Sequence, residues 1–66
     1  MCQARVFLVG PNGQEEEIMQ DVISLEVTRE GIYLKNFFDE PRTIRGTITK
    51  IDFLKHKVFI QAQEES

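Results

Sequence analysis

A single cysteine among 66 residues leaves no intrachain disulfide to staple the fold, and nothing resembles the paired Cys-x-x-Cys spacing of a structural zinc site. No apolar stretch approaches the roughly 20 residues of a membrane span, and no charged-then-apolar leader opens the chain. A cytoplasmic protein without membrane contact is therefore expected. Positive charge is also short: eleven acidic residues against eight basic ones give a net charge of −3, which works against the phosphate affinity that dominates nucleic-acid binding. Catalytic groups are equally sparse. No Ser, His and Asp arrangement has a recognisable local context, no glycine-rich phosphate loop is present, and the lone cysteine has no general base built beside it. The chain reads as a non-enzyme.

What is present is branched and stiff. Val, Ile and Thr supply 16 of the 66 residues, side chains that suit a pleated sheet better than a helix. Ala4, Val6 and Leu8 alternate with Arg5, Phe7 and Val9, which predicts a first strand with both faces largely covered. Gly10-Pro11-Asn12-Gly13 then forms a hairpin loop, because its glycines accept positive φ and its proline fixes φ. Glu15 to Ile23 is ambiguous, since Ile18, Met19, Val22 and Ile23 also fit one helical face that Asn12 could cap. The alternation of Ile23, Leu25 and Val27 just beyond favours strand, with a bend near Gln20-Asp21. Arg29-Glu30-Gly31 predicts a turn into a strand bearing Ile32 and Leu34. Thr43 to Phe53 reads as a long β run that Gly46 interrupts, and Ile44 and Ile48 share a face that Ile51 and Phe53 leave, so the run must bulge or coil. Leu54-Lys55-His56-Lys57 turns into a last strand with Val58 and Ile60, and residues 63–66 form a polar end.

Residues 1–66 are expected to form a single all-β domain: five or six short antiparallel strands closed into a small SH3-like or Sm-like barrel, since closure hides sheet edges that would otherwise aggregate. A chain of this size leaves about 40% of its unfolded surface exposed, so the core is thin. A partner chain or a bound metal is the remaining source of stability.

Cys2 is the candidate metal ligand. A thiolate and a nitrogen of one residue make a five-membered chelate, and such a mixed donor set favours late first-row metals over magnesium or calcium. Two chains meeting near a twofold axis would bring together two sulfurs and two nitrogens, a set suited to square-planar Ni(II). The competing reading makes Cys2 a small hydrophobe at a strand start. His56, the only histidine, sits between Lys55 and Lys57, whose charge disfavours a nearby cation; a solvated turn residue is expected there. Glu15, Glu16 and Glu17 alternate in direction along a strand and cannot converge on one ion, so they read as a solvated edge. Asp39 and Glu40 flank a proline turn and read the same way. Of the adjacent Phe37 and Phe38, one is expected in the core and one at the surface. An exposed phenylalanine beside Tyr33 would be either a dimer contact or a base-stacking platform; the second, through Phe38 and Tyr33 with Arg42, Arg45, Lys55 and Lys57, makes the alternative function a small Sm-like RNA-binding module.

Several short motifs, taken in their joint order, resemble one family. Met1-Cys2-x-Ala4-x-Val6, Glu16-Glu17-Ile18-Met19-x-Asp21-Val22, Phe37-Phe38-Asp39-Glu40, Gly46-x-Ile48-x-x-Ile51-Asp52 and His56-Lys57 are similar to the CooT family of small nickel-binding proteins. The resemblance covers almost the whole chain. It implies a dimeric SH3-like or Sm-like barrel that is either an accessory protein of carbon monoxide dehydrogenase, with that enzyme or its maturation proteins as partners, or a free-standing relative of such proteins. It also implies Ni(II) as the bound metal, held at the dimer interface by the cysteine that follows the initiator methionine, here Cys2. No role carries over to His56 or Lys57.

Overall fold

The computed structural model describes residues 4–63, and all regular structure among them is β. Seven strands run β1 (Ala4–Val9), β2 (Glu15–Val22), β3 (Ser24–Thr28), β4 (Gly31–Lys35), β5 (Arg42–Ile44), β6 (Gly46–Asp52) and β7 (Lys57–Ala62). They form a four-stranded sheet in the order β2-β1-β7-β6 and a three-stranded sheet in the order β3-β4-β5.

The expected count of five or six strands is exceeded because two runs bend and change sheets. Ile23 alone separates β2 from β3, and Arg45 alone separates β5 from β6, so each long run contributes one strand to each sheet. Gly46 makes the second corner possible. A Cβ there would run into the Gln61 carbonyl oxygen and lie 2.8 Å from Cγ2 of Ile60. Antiparallel pairing also fails at one place: β1 and β7 are parallel, with Phe7 opposite Phe59 and Val6 opposite Val58. No closed barrel is formed by the described residues; the two sheets face each other instead.

The helix-like spacing of Ile18, Met19 and Val22 has a specific cause. The β1–β2 register slips between Ala4 and Val6 and again between Val6 and Phe7, so β2 carries extra residues opposite β1. Asp21, at φ 54°, sits within the first slip. Each bulge advances the strand by one residue and resets its two-residue period. Met19 is consequently buried while its neighbour Ile18 also packs on the core. The other expected irregularity is a register shift between Ile48 and Lys50 against β7.

The core is small: Val6 of β1, Met19 of β2, Ile32 and Leu34 of β4, and Ile60 of β7 are buried, with Leu8, Leu25, Ile44, Ile48 and Val58 packed around them. The sheets meet where β4 lies against β2 and β6. The two-residue hairpin Arg29-Glu30 closes as the sequence predicts, with Thr28 opposite Gly31.

Candidate functional site

Sheet topology gathers four chain segments at one end of the four-stranded sheet. The start of β1, the end of β2, the end of β6 and the start of β7 all lie there, because β1 runs parallel to β7 and antiparallel to β2, and β6 runs antiparallel to β7. On the core face of that end, a concavity of about 490 Å³ is lined by Ala4, Val22, Ile51, Asp52, Phe53, His56, Lys57 and Val58. Val22 and Val58 flank the buried cluster, and Ala4 and Ile51 are their cross-strand partners, so this is a stretch of core-facing sheet left open. Exposed apolar side chains rim it: Ile51, Phe53 at 79% exposure and Leu54 at 87%. Exposed apolar side chains gathered around one concavity make this end the candidate interaction surface.

The β6–β7 turn is fixed by two contacts. The Asp52 carboxylate accepts the Lys55 backbone N–H at 3.1 Å, which holds its carboxyl below the usual range, with Lys50 and Lys55 adding to the shift. The His56 carbonyl accepts the Arg5 N–H at 2.8 Å. His56 itself has φ 58° and is exposed, as expected of a solvated turn residue, although its position places it on the edge of the concavity. Cys2 lies outside the described residues. Among the described ones, no group of three or more His, Asp or Glu side chains is arranged to hold a metal ion.

The outer face of the same sheet carries Phe7 and Phe59, stacked with centroids 5.4 Å apart. Arg5 and Lys57 each lie 5.3 Å from the Phe7 ring centre and Lys50 lies 5.8 Å from that of Phe59. Arg5 also pairs with Glu17, its Nε donating to Oε1 at 2.7 Å; this bond is the main reason the Glu17 carboxyl is held below its ordinary value. Glu15 and Glu16 are exposed on edge strand β2 as expected, whereas Glu17 is partly covered and engaged by Arg5.

The expectation that one of Phe37 and Phe38 enters the core is not met. Both are about four-fifths exposed, at 80% and 79%. Their neighbour Asn36 takes the inward place, only 5% exposed. Its Oδ1 accepts the N–H groups of Phe38 (3.2 Å) and Asp39 (2.8 Å), and its Nδ2 donates to the Gln20 carbonyl (2.8 Å) and to Asp39 Oδ2 (3.0 Å). The chain thus turns instead of extending, and the alternation that would have sent one ring inward never applies. An asparagine just after a strand, three residues before an aspartate, is a side-chain-to-backbone turn pattern that could have exposed this loop in the sequence.

The residues of the RNA reading do not converge. Tyr33 lies in β4 between Glu26 and Thr43. Phe38 borders a cleft with Glu17, Asp21 and Asp39. Arg42 is used in donating to the Ile18 carbonyl at 3.0 Å, Arg45 is at the sheet corner, and Lys55 and Lys57 belong to the β6–β7 end. Acidic company around the exposed ring opposes a phosphate backbone.

Comparison with known proteins adds what these positions alone do not. The family model described as CO dehydrogenase accessory protein CooT matches residues 1–61, nearly the full chain and inclusive of Cys2. The chain belongs to the CooT family. A crystal structure assigned as CooT of Carboxydothermus hydrogenoformans superimposes with a TM-score of 0.83 at 27% identity, covering 96% of this chain and 100% of that one. An uncharacterized protein of Methanothermobacter thermautotrophicus is 30% identical over 64 residues, which is 97% of this chain and 94% of the relative. CooT is a family of accessory proteins and not of catalysts. The all-β reading agrees with that membership.

Proposed function

We propose that this CooT protein is a cytoplasmic Ni(II)-binding homodimer, a nickel chaperone for carbon monoxide dehydrogenase maturation, with one metal held between the Cys2 residues of two copies. The observation that carries this reading is the open apolar concavity beside Ala4 within a CooT family match that includes Cys2. Carbon monoxide dehydrogenase is a nickel enzyme, and its accessory family gives the metal a destination.

The concavity supports a dimer at this end. Ala4, Val22, Ile51 and Val58 in its walls are core-facing sheet residues left partly open among the described residues, and a second copy covering this end removes Ile51, Phe53 and Leu54 from water. Such burial is favourable by about 25 cal/mol per Å². Two residues of chain allow Cys2 at most about 7 Å of Cα separation from Ala4, so a twofold axis through this end brings two Cys2 residues within reach of one ion. Each Cys2 supplies a thiolate and a nitrogen. The nitrogen is the terminal amine where Met1 is removed, and a deprotonated amide or the Met1 amine where it stays. We read the two sheets, bent at Ile23 and Arg45, as an opened SH3-like barrel.

The test is a Ni(II) titration of reduced, untagged protein followed by absorbance and native mass, beside Cys2→Ser. One nickel per dimer with sulfur-to-metal absorption, absent in the variant, supports the reading. Absence of binding, or binding that survives the substitution, returns Cys2 to the role of a packing residue.

A further inference from the structure

At a second place, outside the concavity, large apolar side chains are held in water. Phe37 and Phe38 protrude from the segment between β4 and β5, and the four hydrogen bonds of Asn36 hold their backbone in one shape. Between Phe38 and β2 is a cleft of about 340 Å³ whose lining includes Glu17, Asp21 and Asp39; Glu17 is paired with Arg5, and Asp39 Oδ2 accepts from Asn36 Nδ2. Glu40 follows on the exposed side. The surface therefore combines two apolar knobs with a negatively charged hollow. Its complement is an apolar pocket for a ring next to a lysine or arginine that enters the cleft.

A second copy of this chain is a poor occupant. In a twofold contact the same patch meets itself, and Asp21, Asp39 and Glu40 would face their own counterparts. Contact with the lysine-bearing β6–β7 turn of another copy would be head-to-tail, and such contacts grow filaments unless the rotation closes. The apolar concavity is the better surface for self-association, and it leaves the phenylalanine loop free for something else.

We infer that the Asn36–Glu40 loop is the docking surface for the carbon monoxide dehydrogenase polypeptide, with Phe37 and Phe38 seated in a basic-rimmed apolar pocket of that enzyme. The inference rests on the accessory role proposed above and adds the surface through which it is exercised. A loop already fixed in shape is suited to docking, because little conformational freedom is lost when it binds and the burial of two rings is converted into affinity. Exposed aromatics in fixed positions are the residue type that dominates interface energetics.

The experiment measures binding of this protein to nickel-free carbon monoxide dehydrogenase from the same organism, immobilised, at two salt concentrations. Wild type is compared with Phe37→Ser/Phe38→Ser, Glu40→Lys and Cys2→Ser. The double variant is expected to bind at least tenfold more weakly, with unchanged urea midpoint, native mass and nickel stoichiometry. Glu40→Lys is expected to weaken binding several-fold and to flatten its salt dependence. Cys2→Ser separates this inference from the metal reading: docking that persists without nickel leaves the loop assignment standing even where the metal assignment fails. Undetectable binding of wild type, full affinity in the double variant, or dissociation of the dimer by that variant would each overturn the inference. So would masses growing beyond the dimer in wild type and not in the double variant, since the loop would then be a self-contact.

Discussion

Phe7 and Phe59 stack face to face across the parallel pairing of β1 and β7, with ring planes inclined by 24° and cations on either side of the pair. The arrangement joins the two central strands of the larger sheet on the face away from the core. Phe59→Ala should lower unfolding free energy by about 2 kcal/mol, below the 3–5 kcal/mol typical of a fully buried ring because Phe59 is only half-buried. Phe59→Leu keeps most of the apolar area and isolates the stacking contribution, about 0.5–1.5 kcal/mol. Urea unfolding of the three proteins at one protein concentration checks both values.

Gly46 should tolerate no side chain. Gly46→Ala places a methyl group against the Gln61 carbonyl and Ile60, and overpacking of this kind costs about 1–3 kcal/mol. Gly10→Ala, whose added carbon meets nothing nearer than 3.9 Å, is the control and should melt close to wild type. Equal losses at the two positions would contradict the corner assigned to Gly46.

Acid sensitivity should follow Glu17. Its carboxyl is held below its ordinary value chiefly by the hydrogen bond from Arg5, so the folded chain binds its proton less readily than the unfolded chain does. The resulting stabilisation is complete above the unfolded value of about 4.3 and disappears as pH falls through the lower folded value. Asp52, held down by the Lys55 N–H, adds in the same direction. Urea midpoints measured from pH 7 to pH 3 should fall less steeply at the acid end for Arg5→Met than for wild type; superimposable curves would remove the Arg5–Glu17 pair from the account.

Asn36→Ala should release the loop. It removes both halves of a nearly buried amide and leaves the Gln20 carbonyl and the Phe38 and Asp39 amides without these partners, at a cost of about 2–3 kcal/mol. Hydrogen exchange at Phe38 and Asp39 should accelerate while exchange at Ile32 and Leu34 stays slow. Asn36→Asp keeps the acceptor and loses the donor, and it sets a second carboxylate beside Asp39; its exchange should be intermediate at Phe38.

Nickel affinity, under the proposed thiolate ligation, should weaken as pH falls from mildly alkaline to mildly acidic, because protons compete for each donor. Competition titrations with a chelator of known pH dependence measure this. A flat profile would count against sulfur ligation.

The sequence carried the strands well wherever one face stayed in register. Ile32 and Leu34 alternate with Tyr33 and Lys35, and they are the buried pair of β4. An irregularity near Gln20-Asp21 was legible, but it is a bulge within β2, and the strand break expected there falls at Ile23; Gly46 marked the second corner by its missing side chain, and the phase slip between Ile48 and Ile51 marked the bulge that follows. The consequence of those bends was hidden: that each run would cross from one sheet to the other depends on what β4 and β7 pack against, which no local pattern states. The parallel β1–β7 pair is invisible for the same reason, as its partners lie more than fifty residues apart. Phe37 and Phe38 were misread because strand alternation was applied to residues that Asn36 had already turned. The concavity next to Ala4 is a tertiary property, lined by residues from β1, β2, β6, β7 and the β6–β7 turn.

The strand that follows Cys2 is pinned on one side by β7, the final strand of the described fold. During synthesis β1 leaves the ribosome before the other strands, yet it gains its central neighbour only after nearly all of the domain has emerged. Until then the end of the sheet beside Ala4 lacks one wall, because Lys57 and Val58 belong to that strand. Topology thus imposes an order of events in which a half-made chain has no finished concavity at this end, and its last wall arrives with the closing strand.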